Sequence, residues 1–516
     1  MRTEALYGDR IVRCFAERPA SLHAMFERAR ATRASFDAVV FEGQRWSYAQ
    51  LGDAADRLAA ALTSQGVVAG ARVLMLLGNR PEFISVLLAL QRLGAIAVPV
   101  GVREQRPGLA YIAVQCGAVA IVFDDELAGR VPDAADAPAL MLRIAASTLH
   151  ALAERGVAAL AVPAVAKVRE TDVAVILYTS GTTGHPKGAM LTHLSVAHSV
   201  LHYQSCMGLH ADDRSALAVP ASHVTGLIAI IATMWQVGGA VIVVPEFKAE
   251  AFVRLMARER VSHTLMVPAM YQLCLLSTAL ASEDLSAWRI GGFGGAPMPE
   301  ASIAALAQRL PGLTLINASG ATETTSPATM MPAGRPRPLD SVGVALPAAD
   351  IRVMDDDGRE VAAGDVGELW IAGPMVVPGY WADPLATANE FTAGFWHSGD
   401  IGSVDAQGFV RIFDRKKDML NRGGFKVYSV EVENVLMAWP VVVEAAVIGV
   451  PCPVLGERVH AVVHARATDA DETSLRAHCA ERLADYKVPE RIRFSAEPLP
   501  RNANGKLMKR LLRAPP

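Results

Sequence analysis

The stretch YTSGTTGHPKG, Tyr178 to Gly188, puts three glycines, four serine or threonine residues and one lysine into eleven positions. Binding a phosphate asks for several N–H donors converging on one anion with a cation behind them, and glycines let the backbone approach without a Cβ in the way. Thr179, Ser180, Gly181, Thr182, Thr183, Gly184 and Lys187 therefore predict a nucleotide site. A polar turn is the alternative, but the run AVILY at 174–178 reads as a buried strand leading into the loop. In phosphoryl-transferring NTPases the lysine directly follows the second glycine, and a hydroxyl residue next to it holds magnesium. Here His185 and Pro186 intervene and Gly188 takes the hydroxyl position, so a metal must be held elsewhere.

Four further stretches carry polar chemistry that packing alone does not ask for. GGFGGAPMP at 291–299 suits close approach of the chain to a flat ligand. SGATETTSP at 319–327 sets threonines on both sides of Glu323. WHSGD at 396–400 ends in an acid beside a glycine, and PRNANGKLMKR at 500–510 offers Lys506 on an Asn-Gly turn.

The elements that must position these residues follow from hydrophobic periodicity. Strand-like runs RVLMLLG (72–78), AIAVPV (95–100) and VAIVF (119–123) alternate with helical stretches such as SYAQLGDAADRLAAALTSQG (47–66), in which Leu51, Ala54, Ala55, Leu58 and Leu62 share one face. Such alternation predicts α/β layers with mostly parallel strands, continuing through AVIVV and HTLMV. Around 330–375 shorter strand-like pieces, IRVMDDDGRE and VGELWIAG, predict a small β subdomain. After the charge cluster in RIFDRKKDML (411–420) about a hundred residues read as a compact α+β unit. Ser429 is expected to cap a helix there, with Glu431 and Glu433 in its first turn. The expected organisation is an N-terminal domain over 1–414, made of layered α/β subdomains plus the small β subdomain, and a C-terminal domain over 415–516.

The chain of 516 residues, with net charge −3 and pI near 6.5, lacks the basic excess of nucleic-acid binders, so small-molecule partners are expected. Six cysteines without C-x-x-C spacing point to neither a zinc site nor a disulfide framework and fit a reducing cytoplasm. No signal-peptide run opens the chain. The apolar run at 224–244 is nearly long enough to span a bilayer, but Gln236 and Gly238-Gly239 interrupt it; a buried helix, a turn and a buried strand are expected instead of a membrane segment. His193, His198 and His202 lie on the helix expected after the phosphate loop without H-E-x-x-H spacing, so a surface or packing role is expected rather than a metal.

In this order and spacing the five stretches closely resemble the adenylate-forming superfamily of acyl-CoA synthetases, luciferases and nonribosomal-peptide adenylation domains, over essentially residues 40–510. The resemblance implies attack of a carboxylate on the α-phosphorus of ATP, release of pyrophosphate, and transfer of the acyl group to a thiol. Two anionic reactants must meet, so cations and N–H donors are the main catalytic requirement. By resemblance, the loop residues with Lys187 hold the β- and γ-phosphates, Glu323 is the magnesium ligand and Thr322 contacts the α-phosphate. Asp400 and Arg415 bind ribose, and Gly294, Gly295, Ala296 and Pro297 form the wall beside adenine. Lys506 bridges carboxylate and α-phosphate in the first step. The small domain then rotates about a hinge near Lys417 and presents NRGGFKVYSVEVE (421–433), where Gly423 and Gly424 let the pantetheine arm of coenzyme A pass; Lys426 is left without an assigned role.

Ser319 departs from the superfamily, which mostly has an adenine-stacking aromatic there; such a stack is worth about 1–3 kcal/mol. Amino-acid-activating relatives hold an aspartate in the region matching PASHVTGLIAII (220–231), where this chain has Val224 and no acid. A fatty or aromatic acid is expected instead, with His223 as a gate near the reacting carboxylate, or as a core histidine. The acceptor is expected to be coenzyme A; loading of a separate acyl carrier protein, or a catalytically silent nucleotide sensor, are the alternatives. Nothing in the sequence specifies the oligomeric state.

Overall fold

The structure, a computed structural model, describes residues 1–159, 161–179, 185–296, 298–331, 338, 340–465, 471–501 and 507–513. The chain divides into two compact units, Met1–Ile351 with Ile371–Trp396, and Arg352–Trp370 with His397–Pro516.

In the first unit the apolar runs become parallel strands. Among the described residues six strands form one sheet in the order Lys187–Thr192, Val173–Thr179, Ile96–Pro99, Arg72–Leu76, Ala120–Phe123 and Leu142–Ala145. They pair parallel except Val173–Thr179 with Lys187–Thr192, the antiparallel pair that flanks the glycine-rich loop. A second parallel array runs Thr314–Ser319, Ile290–Phe293, His263–Met266, Arg214–Leu217, Ala240–Val243 and Asp37–Phe41. Buried helices join these sheets into one core. The helix His193–Met207 is buried nearly all round, as a helix packed on every side must be. The helix Tyr48–Ser64 starts at the Ser47/Gln50 capping box and buries Leu51, Ala55, Leu58 and Leu62 of the expected face, with Ala54 half-buried at its edge.

The run at 224–244 breaks at its glycine pair, while Gln236, expected to interrupt it, stays inside a helix and is buried. The run forms a π-helix over Thr225–Ala232, a short α-helix over Thr233–Val237, a left-handed cap at Gly238 and the strand Ala240–Val243. Among the described residues no helix is long and apolar enough to cross a membrane.

The second unit contains the antiparallel pair Phe395–Val404 and Phe409–Arg415, in the part that falls to it, and a sheet of Phe425–Val427, Leu420–Arg422, Gly456–Ala465, Val442–Cys452 and Arg491–Ser495. The helices Ser429–Met437 and Glu472–Ala480 cover that sheet around a core that includes Val432, Leu436, Val447, Leu475 and Cys479. Ser429 does not cap its helix. It is the first helical residue, and the carboxylate of Asp414 accepts its N–H. Its hydroxyl, which a capping role would turn to an N–H two or three residues on, instead donates to the buried Asp414 carboxylate and accepts from Lys509. Glu431 stands in the first turn as expected, whereas Glu433 lies beyond that turn and is buried.

Candidate active site

The first unit gathers Thr179, Lys187 and Glu323 through two residues that the sequence reading did not single out. Glu323 is 7% exposed. Its Oε1 accepts from the Thr179 hydroxyl at 3.3 Å and from the Tyr380 phenol at 3.0 Å. Tyr380 also reaches Glu390 at 2.6 Å, and Glu390 pairs with the Lys187 ammonium. That ammonium lies 4.6 Å from the centre of the Tyr380 ring. Burial pushes the Glu323 carboxyl above its usual range, and burial together with the two carboxylates pushes the Tyr380 phenol far up. Lys187, expected on the phosphates, thus has its charge balanced by Glu390 inside the protein.

The backbone around Glu323 explains its placement. After the strand Thr314–Ser319 the chain folds back so tightly that a Cβ on Gly320 would lie 1.6 Å from the Ser326 carbonyl oxygen. Thr325 (φ 52°) and Ser326 (φ 101°) are non-glycine residues in the left-handed region, a cost that recurs at functional sites. The turn is held by the Thr324 hydroxyl, which accepts the Ala321 N–H, and by Ser326 Oγ at 2.7 Å from the Tyr203 phenol. Val377 donates to the Glu323 carbonyl at 2.9 Å. Thr322 is half-buried on the same turn.

Gly294 and Gly295 follow the strand Ile290–Phe293, and Ser319 ends the neighbouring parallel strand, so both sit at carboxyl ends of the array, the usual ligand edge of an open α/β sheet. A Cβ on Gly294 would approach the Ala318 carbonyl to 2.4 Å, so that glycine serves strand contact. Gly295 (φ 77°) and Ala296 are exposed. His223 stands just before the π-helix. The residue is exposed, and desolvation by the surrounding protein pushes its pKa down.

In the second unit Asp400 and Arg415 are cross-strand partners, joined by Nε to Oδ1 at 2.8 Å. Gly423 (φ 60°) and Gly424 (φ 89°) are the two central residues of the tight hairpin between Leu420–Arg422 and Phe425–Val427, a turn that requires positive φ at both. With Asn421, Val454, Leu455, Gly456 and Glu457 they line an open recess. Lys417 and Lys426 are exposed. Ser180, Gly181, Thr182, Thr183, Gly184, Pro297 and Lys506 lie outside the described residues.

His193, His198 and His202 are fully or nearly fully buried and serve packing rather than the surface. His198 Nδ1 donates to the Leu194 carbonyl at 2.9 Å and Nε2 accepts the Phe15 N–H. Among the described residues no group of three or more His, Cys, Asp or Glu could hold a metal. A single buried acid suits magnesium, which takes one or two carboxylates and otherwise keeps water and substrate phosphates. Tyr380 and Glu390 were illegible because the bonds that recruit them span 57 residues to Glu323 and 203 to Lys187.

The profile of the AMP-binding enzyme family matches residues 26–381, and that of the AMP-binding enzyme C-terminal domain matches 431–506. Feruloyl-CoA synthase of an Amycolatopsis species is 35% identical, over 92% of this chain and 94% of its own. The long-chain-fatty-acid–CoA ligase FadD13 of Mycobacterium tuberculosis H37Rv is 35% identical, over 91% and 93%. The crystal structure of ATP-bound MatB from Rhodopseudomonas palustris superposes with a TM-score of 0.88 at 32% identity, covering 96% of this chain and 98% of MatB. A large multi-sheet N-terminal domain, a small C-terminal domain and matches of this extent place the chain in the AMP-binding, adenylate-forming enzyme family, as an acid–thiol ligase of the AMP-forming acyl-CoA synthetase type.

Proposed function

We propose that the enzyme joins a fatty or aromatic carboxylic acid to coenzyme A in two steps. A carboxylate oxygen attacks the α-phosphorus of ATP, the bond to the β-phosphate breaks, and pyrophosphate leaves. The coenzyme A sulfur then attacks the acyl carbon, the bond to AMP breaks, and the thiol proton passes to solvent. The observation that carries this reading is the contact between Thr179, at the mouth of the glycine-rich loop, and the buried acid Glu323. In this assignment Thr179 to Gly184 support the leaving pyrophosphate with Lys187 behind them. Glu323 would hold magnesium, which supplies positive charge against the phosphates. Thr322 contacts the α-phosphate, Gly294 to Pro297 and Ser319 face adenine, Asp400 and Arg415 hold ribose, and Lys506 bridges the reacting groups. A mobile C-terminal domain hinged near Lys417 then brings the Gly423-Gly424 turn to the thiol arm.

An apolar acid is supported by the buried run Leu227 to Ala232 that follows His223 and carries no polar side chain, and by the two relatives named above, one acting on an aromatic acid and one on fatty acids. Six free, buried cysteines suit a reducing cytoplasm. The test is acid-dependent exchange of pyrophosphate into ATP over a panel of fatty and aromatic acids, followed by thioester formation with coenzyme A. Exchange and thioester formation with at least one of them are expected. No exchange with any acid overturns the reading, and exchange without use of coenzyme A transfers it to a carrier-protein acceptor.

A further inference from the structure

The second unit holds a buried charge cluster with no place in the assignment above. Asp414 and Glu433 are 3% and 9% exposed. Asp414, at the end of the strand Phe409–Arg415, accepts the Ser429 hydroxyl at 3.0 Å as well as its N–H. The Lys509 ammonium donates to Ser429 Oγ at 2.6 Å and to Glu433 Oε1 at 2.7 Å, and Glu433 also accepts the Val447 N–H at 2.7 Å. The serine hydroxyl thus gives its hydrogen to Asp414 and takes one from Lys509. One ammonium is shared between two buried carboxylates through that hydroxyl, and each polar atom named has a partner.

Lys509 follows Lys506 by three residues. On the other side of 502–506, Arg501 pairs with Glu444 at 2.6 Å, and Leu499 donates its N–H to the same carboxylate at 2.8 Å. Arg501 and Leu507 form an antiparallel bridge, and Met508 donates to the Pro500 carbonyl at 2.8 Å. The chain is therefore pinned both before and after the segment that carries Lys506, by two independent ion pairs to one sheet and one helix.

We infer that Lys509 is a positioning residue for adenylation, fixing the chain just beyond Lys506 to the helix Ser429–Met437 so that the Lys506 ammonium meets the reacting carboxylate and α-phosphate in register. The inference rests on the reading of Lys506 as the bridging residue. The Lys509 ammonium is committed to Ser429 and Glu433, so it acts through geometry, and a misplacement of about 1 Å can cost on the order of a hundredfold in rate. The second half-reaction does not use Lys506 and should be spared.

The test compares Lys509→Met with Lys509→Met/Glu433→Gln, in which Asp414 is the one carboxylate of the cluster left charged and keeps the Ser429 N–H and hydroxyl, and with Lys509→Arg. Expected in both methionine variants is a fall in kcat for pyrophosphate exchange of about a hundredfold with little change in the KM for ATP. Thioester formation from a supplied acyl-adenylate should stay within about twofold, and Lys509→Arg should recover most of the exchange. The retained half-reaction also reports that the second unit is folded. Wild-type exchange in the methionine variants, or equal loss of both half-reactions in the double variant, overturns the inference. Lys506→Ala run alongside separates the two layers. If it too keeps exchange, the reading of Lys506 falls and the inference with it; if it alone loses exchange, only the positioning role of Lys509 falls.

Discussion

Lys187 and Glu323 carry opposite charges into one site, and Tyr380 with Glu390 keeps each from being left unpaired in the interior. Tyr380→Phe removes the hydroxyl that holds Glu323 Oε1 while leaving the ring under the Lys187 ammonium. One buried hydrogen bond to a charged group is worth about 1.5–3 kcal/mol. The variant should therefore need roughly tenfold more magnesium for half-maximal exchange, and a metal titration that matches wild type would show that Tyr380 does not orient Glu323. Ser319 lies at the end of its strand, half-buried, with its carbonyl accepting the Ala328 N–H. Ser319→Tyr offers adenine a ring to stack on and should lower the Kd for ATP about tenfold, since such stacks are worth about 1–3 kcal/mol; unchanged or weaker ATP binding by calorimetry would count against the adenine assignment.

The helix His193–Met207 makes a prediction of its own. Burial holds His193, His198 and His202 down at about 4, against an ordinary value near 6.5. Folded, these imidazoles refuse protons that the unfolded chain accepts. Their contribution is therefore complete above pH 6.5 and lost as pH falls from 6.5 towards 4, by up to roughly 3 kcal/mol each. Thermal melting should show Tm falling steadily over that window, and a flat profile from pH 7 to 5 would refute it. The position of this helix was legible only as the helix that follows the phosphate loop; the capping box of Thr192 and Ser195 that starts it emerges in the structure. Its burial was harder to read, because polar histidines hid inside it. The π-helix after His223 was not legible at all: its apolar residues are buried throughout, so no periodicity distinguishes one helical register from another. Ser429 was misread for a different reason: its local sequence looks like a cap, but its hydroxyl is taken by Asp414 and Lys509, 15 and 80 residues away.

At the scale of the molecule the candidate residues divide between the two units. Thr179, Lys187, His223, Gly294, Ser319 and Glu323 belong to the first, while Asp400, Arg415, the Gly423-Gly424 turn and Lys506 belong to the second. The motifs were legible because each is a short run whose chemistry is local; the supports were not, because Tyr380, Glu390, Asp414 and Lys509 act across long stretches of chain. If the second unit serves adenylation with one set of residues and thioester formation with another, lesions in the two sets must separate the half-reactions in opposite directions. Lys506→Ala should abolish exchange and still convert supplied acyl-adenylate to thioester. Gly424→Val is the mirror case: at φ 89° a β-branched residue cannot hold the hairpin turn, so the recess beside Leu455 and Gly456 changes shape while Lys509 and Arg501 keep their anchors. Thioester formation should fall about tenfold or more with exchange retained, a loss worth about 1.4 kcal/mol or more. Single-turnover assays of each half-reaction measure both variants, and if both variants lost the same half-reaction, one set of residues would have to serve both steps.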